Sequence, residues 1–226
     1  MAKTIFVIHT SAVLWDVLPG LFAEHAPAAT VRNILDDSLL PEVLAHDGVT
    51  PAVTRRMCEY AVQAEAADAD LIFTQCSSVG EVADMAAAMV NIPLIKIDER
   101  MAEIACNTGS RIGVVGTVAT TMGPTVRLIR RTAERLDKKV TVVEEISSGA
   151  FEKLTSGDRK GHNEMVIASI RKVATQVDVV VCAQGSMLAL KSDLGETPVP
   201  VLFSPPIGVQ HAAEVLAAHQ EPAPNY

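Results

Sequence analysis

The chain repeats itself. "VIHTSAV" near the start is matched by "VVGTVAT" later, which aligns Thr10 with Thr117 at an offset of 107. "ADLIFTQCSS" is matched by "VDVVVCAQGS", aligning Asp70 with Asp178 at 108, and "NIPLIKI" by "PVPVLFS", aligning Pro93 with Pro200 at 107. Generic strands can imitate one such match, but three in order at nearly one spacing indicate two homologous halves. Whatever fold one half adopts, the other must adopt as well.

Within each half, short β-branched runs alternate with alanine-rich helical patterns, the signature of an α/β fold with parallel sheets. The predicted strands are "KTIFVI", "ATVRNIL", "ADLIFTQ" and "PLIKI", then "SRIGVVG", "VTVVEEI", "VDVVVCA" and "PVLFS". They lack strict polar alternation, as expected of strands covered on both faces. The clearest helices are "TPAVTRRMCEYAVQAEAA", "GEVADMAAAM", "PTVRLIRRTAERL", "HNEMVIASIRKVATQV" and "GVQHAAEVLAAH". The expected architecture is two pseudo-symmetric halves, each a four-stranded, mostly parallel sheet flanked by helices. Residues 1–98 with 206–226 form the first half and 99–205 the second, with the active site in the cleft between them. The tail "EPAPNY" is expected to be loose, because its prolines block a helix and it has little to bury.

Composition narrows the function classes. At 226 residues and 49% hydrophobic, the chain can bury a substantial core. A formal charge of −8 without a long Lys/Arg cluster argues against nucleic-acid or anionic-membrane partners. No apolar run reaches the ~18 residues of a spanning helix, and "MAKTIFVIHT" leads straight into a strand pattern rather than a signal peptide. Cys58, Cys76, Cys106 and Cys182 are scattered without a CxxC pair, which disfavours a zinc site or a disulfide framework. "HTSAVLWDVLPG" follows the first strand where a dinucleotide-binding protein would carry GxGxxG. A cytoplasmic protein without metal or cofactor is expected, and apolar alanine faces point to a homodimer or larger homo-oligomer.

Open α/β sheets bind ligands beyond the carboxyl ends of their strands. That directs attention to Thr10 and Ser11, Gln75 to Ser78, Thr117 to Thr121, and Cys182 to Ser186. "SVGE" after Cys76 fits a capping box with Ser78 as N-cap and Glu81 three residues on. A helix start there would favour a bound carboxylate and lower the Cys76 thiol pKa. In "GTVATTMGPT", Thr117, Thr120 and Thr121 suggest a second anion cradle, with Pro124 in the first turn of the following helix. Cys58 and Cys106 lie in helical apolar patterns and read as small buried hydrophobes. His9 reads as structural. Asp36 and Asp37, with Ser38, read as caps of the next helix, and Asp98 and Glu99 repeat that situation.

The paired halves, "TQCSSVGE", "DDSLL", "KIDERMAE" and "RIGVVGTVATTMGPT" resemble the aspartate/glutamate/hydantoin racemase superfamily over nearly the whole chain. The resemblance implies a small carboxylic acid bound between the halves, no cofactor, and a catalytic thiol at Cys76. It also implies a second thiol on the opposite face of the substrate, one removing a proton and the other returning one. Ser77 and Ser78 stand where the racemases usually have Asn-Thr.

The second half departs from that pattern. Cys76 lies six residues after Asp70, whereas six residues after Asp178 stands Gln184. Cys182, two positions earlier, is expected to lie deeper. A carboxamide carries no proton near neutral pH but forms hydrogen bonds. Cys76 is therefore expected to act alone, with Thr10, Ser11, Ser77, Ser78, Thr117, Thr120, Thr121, Gln184, Gly185 and Ser186 holding substrate. Isomerase or racemase chemistry, a single-thiol lyase and a non-catalytic carboxylate binder remain open at this level.

Overall fold

The computed structural model describes residues 2–219, so "EPAPNY" lies outside the described residues. All eight predicted strands form. β1 (Thr4–His9), β2 (Thr30–Leu35), β3 (Leu71–Thr74) and β4 (Leu94–Lys96) make one sheet in the order β2-β1-β3-β4. β5 (Arg111–Gly116), β6 (Thr141–Ile146), β7 (Val179–Cys182) and β8 (Val201–Phe203) make the second in the order β6-β5-β7-β8. Every pairing among them is parallel. The repeat in the sequence is thus a repeat of topology.

The helices are α1 (Leu18–His25), α2 (Leu39–Ala45), α3 (Pro51–Ala66), α4 (Gly80–Ala87), α5 (Glu99–Thr108), α6 (Ala119–Arg135), α7 (Ala150–Thr155), α8 (Arg159–Ala174), α9 (Lys191–Leu194) and α10 (Ser204–Ala218). The long predicted helices correspond to α3, α4, α6, α8 and α10. Four of those missed, α1, α2, α7 and α9, are short, and α1 and α2 contain proline. Such helices draw their stability from packing rather than propensity. The fifth, α5, carries the Glu99 that had read only as a cap. α6 begins at Ala119, immediately after extended Val118, so Pro124 sits inside the helix rather than in its first turn. Pro124 cannot donate to the Thr120 carbonyl, and the Thr125 hydroxyl donates to the next one, that of Thr121, at 2.9 Å.

Strand periodicity explains the double coverage. In the first sheet Ile5, Val7, Leu71 and Phe73 pack with Leu18 and Phe22 of α1 and Val209 and Ala212 of α10. Phe6, Ile8 and Ile72 face the other way, onto Met57 and Ala61 of α3 and Val82 of α4. In the second sheet Ile112, Val114, Val179 and Val181 meet Met101 and Ala105 of α5 and Val126 of α6. Val115, Val180 and Cys182 meet Val166 and Ile170 of α8.

The helix after each sheet covers the other sheet: α5 follows β4 yet packs on the second, and α10 follows β8 yet packs on the first. This exchange brings α10 so close to the end of β4 that a Cβ on Gly208 would stand 2.3 Å from the Ile97 carbonyl oxygen. Backbone cannot yield there as a flexible side chain would. Gly208→Ala is expected to destabilise the protein by about 1–3 kcal/mol, measured as a lower urea midpoint at unchanged slope.

Candidate active site

β1 and β3 in one half, and β5 and β7 in the other, end around a cavity of about 150 Å³. Of the residues singled out in the sequence, Ser11, Gln75, Cys76, Ser77, Ser78, Thr121, Ala183, Gln184, Gly185 and Ser186 line it. Thr10, Thr117 and Thr120 do not. Thr10 is buried beside the Cys76 sulfur, Thr117 is buried behind Gln184, and the Thr120 hydroxyl is buried without a partner.

Sequence reasoning missed the apolar wall, formed by Val13, Leu14, Leu40, Phe151 and Leu154. A signal existed. Leu14 and Thr121 are related by the repeat offset of 107, and both line the cavity. β2 and β6 begin at Thr30 and Thr141, an offset of 111, and the same offset relates Leu40 to Phe151. Four extra residues between β5 and β6 hide that second correspondence. Gly185 lies close to the other half, since a Cβ there would stand 2.8 Å from Leu14 Cδ1 and would push that side chain aside.

Leu40 is held by a network at the end of β2. The Asp36 carboxylate accepts from the Ser38 N–H at 3.1 Å, and from Arg56 and Tyr60 of α3, both at 2.8 Å. The Leu40 N–H donates to the Thr10 carbonyl at 3.2 Å. Ser38 is the N-cap of α2 but makes no side-chain cap bond, so Asp36 anchors α2 to α3 rather than capping it. His9 bonds Asn33 at 2.9 Å and lies 5.1 Å from the Trp15 ring. Asp98 and Glu99 stay outside the cavity. Asp98 occupies the N-cap position of α5 without a side-chain cap bond, and burial pushes its pKa up.

The capping box does not form. Ser77–Val79 is a single 3-10 turn with Cys76 as its N-cap, α4 then starts from Val79, and the Ser78 hydroxyl is buried without a partner. Glu81 instead takes a two-pronged bond from Arg127 of α6, at 2.7 and 3.1 Å, with Arg131 at 3.6 Å. A paired guanidinium outcompetes a single backbone N–H for a carboxylate, and this pair ties α4 to α6 across the two halves.

The expected lowering of the Cys76 pKa is also reversed. The sulfur is surrounded by protein on most sides although the residue opens onto the cavity, and that burial raises its pKa. The hydroxyls of Thr10 and Ser78 and the N–H groups of Ser78 and Val79 pull in the other direction without overcoming it.

Across the cavity, the Thr117 N–H and hydroxyl donate to Gln184 Oε1 at 2.7 and 2.9 Å. A backbone N–H can only donate, so the accepting atom must be the amide oxygen, and the Gln184 NH2 is left for the cavity. The halves therefore repeat one device, a threonine behind a strand-end side chain: Thr10 behind Cys76, and Thr117 behind Gln184. Cys182 has no exposed surface, packs among Val166, Ile170 and Phe203, and does not line the cavity. Cys76 is the sole titratable side chain among the lining residues.

A family model described as Asp/Glu/Hydantoin racemase matches residues 9–212. The chain belongs to the Asp/Glu/hydantoin racemase family. Solved structures share the fold. A glutamate racemase from Bacillus anthracis has TM-score 0.71 at 16% identity, covering 96% of this chain and 82% of its own. An allantoin racemase from Klebsiella pneumoniae has TM-score 0.71 at 15% identity, covering 96% and 88%. An aspartate racemase homologue from Pyrococcus horikoshii has TM-score 0.70 at 19% identity, covering 96% and 100%. No curated protein sequence matches the chain. Among the described residues, no group of three His, Cys, Asp or Glu side chains is placed to hold a metal, and no helix is long and apolar enough to cross a membrane.

For this member of the racemase family, alkylation distinguishes the thiols. Cys76 opens onto a cavity, whereas Cys58, Cys106 and Cys182 are buried. Iodoacetamide is expected to label Cys76 first. Because a raised pKa delays thiolate formation, the rate should climb with pH through an inflection above the ordinary thiol value of about 8.5. Mass spectrometry of quenched time points over a pH series reads both features.

Proposed function

We propose that the chain is a cofactor-independent isomerase-type enzyme that acts on a small carboxylic acid through Cys76. One observation carries the proposal: a single titratable group, the Cys76 thiol, opens onto a cavity between the halves whose other polar lining groups are neutral. The Gln184 NH2 and the half-buried hydroxyls of Ser11 and Ser186 are suited to donate to a carboxylate. Binding that group places the α-carbon against the sulfur. The thiolate takes the α-proton, and the developing charge spreads onto carboxylate oxygens already held by donors. The same sulfur then returns the proton on the same face at another carbon of an unsaturated substrate, which yields a positional isomer. Return to the opposite face of the α-carbon would require the substrate to turn over in the cavity. Removing Thr10 from behind the thiol would raise the cost of the thiolate further.

The raised thiol pKa and the absence of a second acid–base group in the lining favour a second reading, a carboxylate-binding protein without turnover. The two are separated by screening small mono- and dicarboxylates for thermal stabilisation, then following the hits in D2O. An isomerase incorporates deuterium, and Cys76→Ser is expected to lower its kcat by about 10²–10⁴-fold. Release of carbon dioxide would mark a single-thiol lyase instead. Turnover undiminished in Cys76→Ser would end the role given to the thiol, and unchanged affinity with no turnover by either protein would establish the binder.

The proposal includes a cytoplasmic location and a homo-oligomeric state, the latter supported by the exposed apolar side chains Trp15, Met85 and Met89. Light scattering is expected to give a mass at least twice the 24.0 kDa of one chain, and a monomer at micromolar concentration would overturn that part.

A further inference from the structure

From the lining of the cavity we infer that the substrate is a monocarboxylate bearing an apolar group and no ammonium, rather than an amino dicarboxylate. The inference rests on the carboxylate reading above and deepens it. No Lys, Arg, His, Asp or Glu lines the cavity. A second carboxylate would be stripped of water with no cation to meet it, and an α-ammonium would find no carboxylate. Charges near the cavity are engaged elsewhere or set behind its wall: Arg127 and Arg131 hold Glu81, Lys96 holds Asp84, and Asp98, whose pKa is raised by burial, stands behind Ser77 outside the lining.

The wall that would meet the substrate's remainder is apolar and built from both halves. Val13, Leu14 and Leu40 come from the first half, Phe151 and Leu154 from the second. A cavity of about 150 Å³ is the size that admits a benzene ring in an apolar protein interior. The polar lining, which includes Ser11, Thr121 and Ser186 beside the Cys76–Ser78 turn and the Gln184 amide, is neutral throughout, so a bound acid is expected to set its carboxylate towards these donors and its apolar group towards Leu40 and Phe151. Thr117 sets the sign at Gln184. By occupying the amide oxygen it turns Gln184 into a donor, which suits an anion and repels an ammonium.

Binding to the Cys76→Ser protein tests the inference without interference from turnover. Calorimetry would compare phenylacetate and 4-methylpentanoate with phenylalanine, leucine, aspartate, glutamate and phenylacetamide. Phenylacetate and 4-methylpentanoate are expected to bind at least about tenfold more tightly than the four amino acids. Aspartate or glutamate binding as tightly as phenylacetate would overturn the inference, as would phenylalanine equal to phenylacetate. Failure of both monocarboxylates to bind at ~10 mM would also overturn it. Phenylacetamide equal to phenylacetate would instead overturn the carboxylate reading and leave the apolar selection standing. A second variant probes the wall itself. Leu154→Arg, at a half-buried position on short α7, should weaken phenylacetate and strengthen glutarate, each by about tenfold. Unchanged affinities for both would remove the wall from the site and overturn the inference.

Discussion

The exchange of α5 and α10 between the two sheets is the contact on which the rest depends. A four-stranded parallel sheet needs apolar cover on both faces, and each sheet takes part of that cover from the helix that follows the other sheet. Met101, Ala105 and their neighbours on α5 seal the second sheet, while Val209 and Ala212 on α10 seal the first. The chain therefore crosses between the two sheets at both α5 and α10, and these two helices pack against each other. Gly208 against the Ile97 carbonyl shows how close that packing is.

On this frame, local effects at the cleft compete. The turn after Cys76 directs N–H groups at the sulfur and favours its thiolate, but burial costs more than they return. The same pocket that disfavours a charged sulfur favours an apolar substituent beside it. The exposed Glu81–Arg127 pair contributes little to stability. Its importance is geometric, since it joins the helix that starts at the turn after Cys76 to the helix that starts at the opposite strand end.

Much of this was legible in the chain. The β-branched runs marked every strand, and the repeat showed that Cys76 and Gln184 occupy matching strand ends. The capping box was misread because pattern alone cannot reveal that Arg127, 46 residues away, competes for Glu81. The thiol was misread for a related reason: a helix start is visible in sequence, whereas the surroundings that bury the sulfur come from distant elements. The short helices α2 and α7 were invisible because tertiary packing, not intrinsic propensity, holds them. With them went Leu40, Phe151 and Leu154, the residues that give the cavity its apolar character.

The sequence by itself determined the duplicated parallel architecture and the asymmetry at its centre, a thiol in one half and a carboxamide in the other. Both are local, carried by strand periodicity and by the residue at one position of a repeat. Only the tertiary structure decided which side of Gln184 faces the cavity, that Cys182 is buried core, and that the pocket is neutral and half apolar. Those properties depend on hydrogen bonds and contacts between residues far apart in the chain, and they exist only once the two sheets have exchanged their covering helices.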